Sequence, residues 1–270
     1  MTAERYTHGH HESVLRSHTW RTVENSAAYL IAEITPGAVV LDVGCGPGTI
    51  TVDMAARVNP GTVIGIDQSA EIVAQAAALA AEQGVDNCRF VVGDAYSLDF
   101  ADNTFDIVHA HQTLQHMSDP VSMLRELYRV TKPGGVVAAR DADYAGMIWF
   151  PELPGMRQWM DLYQRVARSN GGEPDAGRRM RYWATEAGMT DVVPTASTWC
   201  FATDEDRAWW GGMWADRVRD SAFATQAIEG GFATSVDIAS IRATWQNWIK
   251  APGAWFAIPN GEILCRKPAI

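Results

Sequence analysis

Apolar and polar positions along the chain fall into two alternating rhythms up to about residue 140. Short apolar runs at Val39–Val43, Gly61–Asp67, Cys88–Val92, Thr104–Ala110 and Val136–Arg140 have the length and composition of buried strands. Between them lie segments of helical composition. Ile50–Val58 follows a glycine turn, and the alanine-rich stretch Ala70–Glu82 is stopped by Gly84. A helix beginning at Asp119-Pro120 runs to Thr131, where Lys132-Pro133-Gly134-Gly135 ends it. Strands alternating with helices predict an α/β domain with a parallel sheet. Ahead of this array, Glu12–Ile34 is helical in composition, with a break near Asn25-Ser26 that could cap a second helix.

Beyond the fifth run the rhythm changes. Gly146–Pro154 is aromatic and punctuated by proline, Met156–Arg168 is amphipathic, and Ser169–Gly177 is a polar loop leading into a helix over Arg178–Ala187. Thr195–Thr203 and Trp255–Arg266 have β composition, and Asp204–Lys250 between them is largely helical. That insertion of about fifty residues is long for a connection between two strands and predicts a cap over a pocket or a subunit contact. Most of the eleven tryptophans lie in this second half, which points to large apolar walls around a pocket or interface.

Bulk composition narrows the function. A 270-residue chain that is 47% hydrophobic buries a sizeable core. Its net charge of −10 and lack of a basic run disfavour a nucleic-acid partner. The densest cationic cluster, Arg178-Arg179-x-Arg181, reads as a solvated helix face. The four cysteines Cys45, Cys88, Cys200 and Cys265 form no CxxC pair, so neither a zinc site nor a disulfide framework is expected. With no apolar leader or membrane-length run, a cytoplasmic protein is expected. His8, His10 and His11 are read as surface residues rather than metal ligands.

The candidate chemistry starts at Leu41-Asp42-Val43-Gly44-Cys45-Gly46-Pro47-Gly48-Thr49. Strand, glycine turn and helix start together make a cradle for a nucleotide-like ligand, because glycine permits φ > 0 and close backbone approach. Thr49 stands where a dinucleotide fingerprint has its third glycine, so a pyrophosphate site is not matched. Asp42 at the strand end would repel a pyrophosphate and suits a ligand bearing positive charge. A glycine turn with no ligand is the plain alternative. Asp67 ends the second strand nineteen residues past Gly48, the interval at which a carboxylate holds ribose hydroxyls, although Asp67 or Ser69 would also serve as a helix N-cap. Gly93-Asp94 after the third strand is by itself an ordinary turn. Three carboxylates at three consecutive strand ends, on the edge where open α/β sheets bind ligands, make a shared site the better reading.

The LDVGCGPGT stretch resembles motif I of class I S-adenosylmethionine (SAM)-dependent methyltransferases. The run of strand, His-rich loop, Asp-Pro helix, KPGG and strand is similar to the branch related to ubiquinone/menaquinone-biosynthesis methyltransferases. The resemblance is strong over Ala38–Asp143 and looser elsewhere. It implies a Rossmann-like fold with a seven-stranded, mostly parallel sheet, an antiparallel last strand and helical cap elements. It implies an N-terminal lid over residues 1–35, a SAM-binding core over 36–144, and the rest of the core with a helical cap (145–187 and 204–250) in one domain. Cofactor contacts would come from Tyr6, Asp42, Gly44, Cys45, Gly46, Asp67, Gln68, Gly93, Asp94, Ala95 and His111, with Asp94 on the adenine amino group. S-adenosylhomocysteine (SAH) would be the product.

Methyl transfer needs positioning above all, and a base only if the acceptor must lose a proton. Asp143, Tyr144, His11 and His116 are the candidates, with His116 read first as a structural histidine and Asp141 open to a turn role. Tyr144 and Trp149 are expected to touch a small aromatic or apolar acceptor such as a quinone-like or polyketide compound, in biosynthetic or secondary metabolism. The rival readings are a SAM-binding protein without methyl transfer and an NAD-dependent oxidoreductase. The latter shares Asp67 but leaves Asp42 and Gly93-Asp94 unexplained. A homo-oligomer is compatible with either.

Overall fold

The computed structural model describes residues 7 and 18–269. Five parallel strands, β1 (Val39–Val43), β2 (Thr62–Asp67), β3 (Cys88–Val92), β4 (Phe105–His111) and β5 (Thr131–Ala142), lie in the order β3-β2-β1-β4-β5. Antiparallel to β5 runs the last strand, β8 (Trp255–Arg266), and β7 (Asp191–Phe201) pairs with β8 along its whole length. An eighth strand joins the expected seven. β6 (Ile148–Phe150) pairs with β8 at Trp255–Ala257, just beyond the stretch of β8 that β5 occupies.

The helices are α1 (Val23–Ser26), α2 (Thr49–Val58), α3 (Ala70–Glu82), α4 (Pro120–Val130), α5 (Pro154–Ser169), α6 (Met180–Glu186), α7 (Asp204–Asp220), α8 (Ala222–Glu229) and α9 (Ser235–Lys250). Alternating side chains on the strands face two layers. Val40 joins a core with Val23, Leu30 and Met54 on one side. Leu41 and Val43 join Leu124, Leu127, Met180 and Trp183 on the other.

Two boundaries differ from expectation for local reasons. The KPGG segment does not stop β5. Gly134 takes φ +79° and Gly135 packs where a Cβ would stand 2.7 Å from Asp106 O, so the strand bulges and continues. Before β1, the helical segment expected to break near Asn25-Ser26 does break there, but the pieces are short: α1 ends at Ser26 and a 3₁₀ turn, not a second α-helix, follows over Ala28–Glu33. Thr22 starts α1 afresh, its hydroxyl accepting from Asn25 N–H while the Asn25 side chain accepts from Thr22 N–H. Residues 12–17 of that segment fall outside the described residues.

The insertion between β7 and β8 is helical as expected, and with α5 it forms a third core built on aromatic rings. Trp159 packs edge-on against Trp214 at 4.6 Å and Trp245 at 4.9 Å, and Trp248 donates to Phe150 O at 3.0 Å. This layer sits over the ends of β5, β7 and β8. Among the described residues, no helix is long and apolar enough to cross a membrane.

Candidate active site

The site is built at the C-terminal ends of β1–β4. From β1 the chain turns through Gly44, Cys45, Gly46, Pro47 and Gly48 into α2. Gly44 has φ +74°, and a Cβ there would stand 2.3 Å from Thr113 Oγ1, so only glycine fits. A Cβ on Gly46, by contrast, would meet nothing nearer than 3.8 Å, because this glycine faces an open cavity of about 930 Å³. The turn is lashed to β2: Gly44 and Cys45 N–H donate to Ile66 O at 2.8 and 2.9 Å, and Gly46 N–H donates to Asp67 Oδ2 at 3.2 Å. A cradle whose innermost glycine opens onto the cavity fits an adenosyl ligand with an amino-acid arm. When SAM is bound there, it supplies a methyl group already activated on a sulfonium.

Asp42, Asp67 and Asp94 all line this one cavity. Their settings differ. Asp42 is 2% exposed, with Oδ1 2.8 Å from His109 Nδ1 and Oδ2 accepting from Thr51 Oγ1 at 2.5 Å. Both oxygens are thus held by β4 and α2, an arrangement that keeps a buried carboxylate satisfied. Asp67 is half-buried and accepts from Ser69 N–H at 3.0 Å as well as from Gly46, so it also leads into α3, whose N-cap is Ser69. Asp94 is exposed and accepts from Tyr96 N–H at 2.9 Å, and Gly93 N–H donates to Asp67 O at 3.1 Å. Cys45, Gln68, Gly93 and Ala95 complete this rim. Burial, with Asp42 and Asp67 nearby, pushes the Cys45 thiol well up, so it stays protonated and unreactive.

The cavity continues past the rim into an aromatic chamber walled by Trp20, Trp199, Trp209 and Trp210 with Tyr144, Met147 and Ile258. Trp20 packs at 5.3 Å from Trp199 and 5.4 Å from Trp209. Tyr144 stacks on Tyr163 at 4.0 Å, and burial raises its hydroxyl pKa. His111, at the end of β4, stands between rim and chamber. Its ring lies 5.8 Å from Trp199, and Thr113 Oγ1, two residues on, bonds to Val43 O at 3.3 Å. Burial first, then Arg21 and Arg140, hold the His111 imidazole neutral, well below the usual histidine range.

Four other candidates fall differently. His116 lines the cavity, half-buried and neutral, its pKa lowered to about 3 by desolvation and then by Arg21 and Arg217, with Nε2 3.2 Å from Gln115 Nε2. Asp143 does not line the cavity: its carboxylate is gripped by the Arg178 guanidinium and accepts from Arg178 N–H at 3.1 Å. Trp149 does not line it either: half-buried, it packs against the third core, stacking on Phe256 at 5.9 Å. Tyr6 and His11 lie outside the described residues. Asp141 is buried beneath the chamber with Oδ1 accepting from Gln115 N–H at 3.1 Å, and burial pushes its pKa up to about 7. Among the described residues no three His, Cys, Asp or Glu side chains cluster as a metal would need.

Sequence reasoning missed His109, Arg21, Gln115, Arg217 and the four chamber tryptophans. Only the overall tryptophan enrichment hinted at the last group.

Comparison with known proteins agrees with this geometry. Residues 34–190 match the family model described as a methyltransferase domain. An uncharacterized methyltransferase of Schizosaccharomyces pombe is 37% identical, over 97% of this chain and 96% of its own length. Demethylmenaquinone methyltransferase of Listeria monocytogenes is 34% identical over 50% of this chain and 55% of its own. The crystal structure of YcgJ from Bacillus subtilis shares the fold, with a TM-score of 0.58 at 23% identity over 91% of this chain and all of YcgJ. A glycine cradle, three strand-end carboxylates on one cavity, and a match over more than half the chain lead to one assignment: this chain belongs to the methyltransferase domain family and is a class I SAM-dependent methyltransferase.

Proposed function

We propose that the chain methylates a small, planar, largely apolar acceptor, a quinone-like, polyketide or related aromatic compound, in a biosynthetic pathway. The observation that carries this is the chamber itself. One continuous cavity of about 930 Å³ joins the glycine cradle to walls of Trp20, Trp199, Trp209 and Trp210. That is near the top of the range for small-molecule pockets, about 300–1,000 Å³, and leaves room for a second molecule beside the cofactor. An acidic chain with net charge −10 favours neither DNA nor RNA as acceptor. The Listeria relative is named for a quinone-type ring. Four free cysteines support work in the reducing cytoplasm.

In this reading Asp67 holds the ribose hydroxyls and Asp94 the adenine amino group. Gly44, Cys45, Gly46, Gln68, Gly93 and Ala95 line the adenosyl path. Asp42, fixed by His109 and Thr51, sets its negative charge behind the turn, where the cationic arm would lie. Helices α5 and α7–α9 cap the chamber and exclude water from the acceptor. Trp149 packs against the aromatic core of this cap, Asp143 is taken up by Arg178, and Tyr144 contributes a wall.

The test is in two steps. Calorimetric titration with SAH and with NAD should show binding of the first alone. SAH release is then measured against a panel of hydroxylated naphthalenes, quinols and indoles, and against DNA, RNA and whole-cell protein. Turnover with an aromatic small molecule is expected. Release only with a macromolecule would overturn the reading.

A further inference from the structure

The charges that line the cavity are divided between its two ends. The carboxylates Asp42, Asp67, Asp94 and Asp119 all belong to the cradle side, at or just past the ends of β1, β2 and β3 and at the start of α4. The arginines that line it belong to the chamber side. Arg21 lies against Trp199, and Arg217 lies 4.7 Å over the Trp214 ring. An acceptor therefore meets guanidinium charge where the cofactor meets carboxylates.

Arg21 is the better fixed of the two. Its Nη2 donates to Gln112 Oε1 at 2.8 Å, and Gln112 lines the cavity as well. Gln112 is anchored in turn: its main-chain N–H donates to Arg140 O at 2.7 Å and its Nε2 reaches Asn260 Oδ1 at 3.4 Å. It is held at φ +50°, a costly conformation for a residue other than glycine, and one that clusters at ligand sites. The Arg21 guanidinium carbon stands 5.9 Å from the Trp199 ring, which meets Trp20 at 5.3 Å and His111 at 5.8 Å. One cationic group is thus fastened among the chamber walls by a neutral amide, a bond that leaves its charge uncancelled. The charge is felt there. After burial, Arg21 is the next cause that holds both His111 and His116 neutral, which makes these imidazoles weak bases. Burial pushes the Asp141 carboxyl up to about 7, so at neutral pH it offsets only part of that charge.

We propose that Arg21, set in place by Gln112, determines acceptor specificity by taking a ring-borne oxyanion, a phenolate or a carboxylate, whose proton is left in bulk water before binding. This rests on the aromatic-acceptor reading above and makes it narrower. A guanidinium carries five N–H donors in a fixed fork, so it can hold the Gln112 amide and meet an oxygen anion together. Charge-assisted bonds are about twice as strong as neutral ones, so an uncharged ring of the same shape is the poorer ligand. An acceptor that enters as its anion also needs no base in the site, in keeping with the weakly basic imidazoles.

The test uses two probes of matched shape, 2-naphthoate and naphthalene-2-carboxamide, titrated calorimetrically into the full chain saturated with SAH. The wild-type protein is expected to bind the anion at least about ten-fold more tightly. In R21M, which keeps an apolar stem, and in Q112E, which sets a carboxylate of the same shape against the guanidinium, the two should bind within about three-fold of one another. A further check needs no variant. 4-Nitrophenol is added to the SAH-saturated wild type at a pH below its own pKa, where its yellow anion is scarce, and binding should raise the absorbance of that anion. Preference for naphthoate alone points to a carboxylate and a rise in absorbance to a phenolate; either supports the inference. Equal binding of the two naphthalenes with no rise in absorbance, or a preference that survives in either variant, would overturn it while the aromatic chamber stands. If none of the three probes binds, the aromatic reading falls and takes this inference with it.

Discussion

Replacing Asp67 by alanine separates the cofactor site from the fold more cleanly than any other single change. In the free protein its two oxygens accept from Gly46 N–H at 3.2 Å and Ser69 N–H at 3.0 Å, each oxygen keeps a further lone pair, and the side chain lines the cavity. Hydrogen bonds to a charged group are worth about 1.5–3 kcal/mol net each. Two such bonds to a pair of vicinal hydroxyls do not add fully, so about 3 kcal/mol is a fair figure for the pair. At about 1.4 kcal/mol per decade, SAH should bind on the order of 100-fold more weakly. The structural cost is small by comparison. Asp67 is half-buried, water can reach the amides it leaves, and the α3 cap survives because Ser69 Oγ still accepts from Ile72 N–H at 3.3 Å. Calorimetry should therefore show the large loss of SAH affinity while the melting temperature moves by no more than a few degrees. Affinity within three-fold of wild type in a folded D67A protein would remove Asp67 from the ribose, and with it the argument from strand-end carboxylates.

Gly44→Ala should nearly abolish SAH binding and lower stability, because the new Cβ would collide with Thr113 Oγ1 at 2.3 Å in a backbone held at φ +74°; an unchanged SAH titration would show that the turn is not the cradle. Asp141→Asn tests a buried acid. Its pKa is raised from 3.8 to about 7, so folding favours the protonated form, and that contribution is complete below about pH 4 and lost as pH rises through 7. The variant, which cannot ionise, should melt closer to or further above wild type as pH goes from 5 to 8, by up to about 3 kcal/mol, and parallel melting curves would refute it. Trp214→Ala removes a fully buried ring that stacks on Trp245 and meets Trp159 edge-on, and should cost about 3–5 kcal/mol in a denaturant titration, against less than about 1 kcal/mol for the exposed Tyr182→Ala.

The parts of this molecule that were legible in sequence are those in which neighbours in space are also neighbours in the chain. Strands β1 to β4 announce themselves as apolar runs, and Asp42, Asp67 and Asp94 each sit at or just after the end of one, so a parallel sheet brings them to one rim without further information. The chamber is not local in this sense. Trp20 meets Trp199 and Trp209 from opposite ends of the chain. On α7, Trp209 and Trp210 line the cavity while Trp214, one turn on, is sealed in the core, a division that composition alone cannot make. Trp149 was expected at the acceptor because it follows β5 closely, yet β6 turns it against Phe256. Asp42 shows the limit most sharply. Its place in the motif says that a negative charge stands behind the turn. What keeps that charge tolerable, at 2% exposure, is His109, its register partner on β4 and 67 residues away, together with Thr51 on α2. Those two bonds tie β1, β4 and α2 together directly beneath the glycines. Loosening either one should therefore alter the shape of the cradle before it alters its charge, and a neutral His109→Asn variant would separate the two effects.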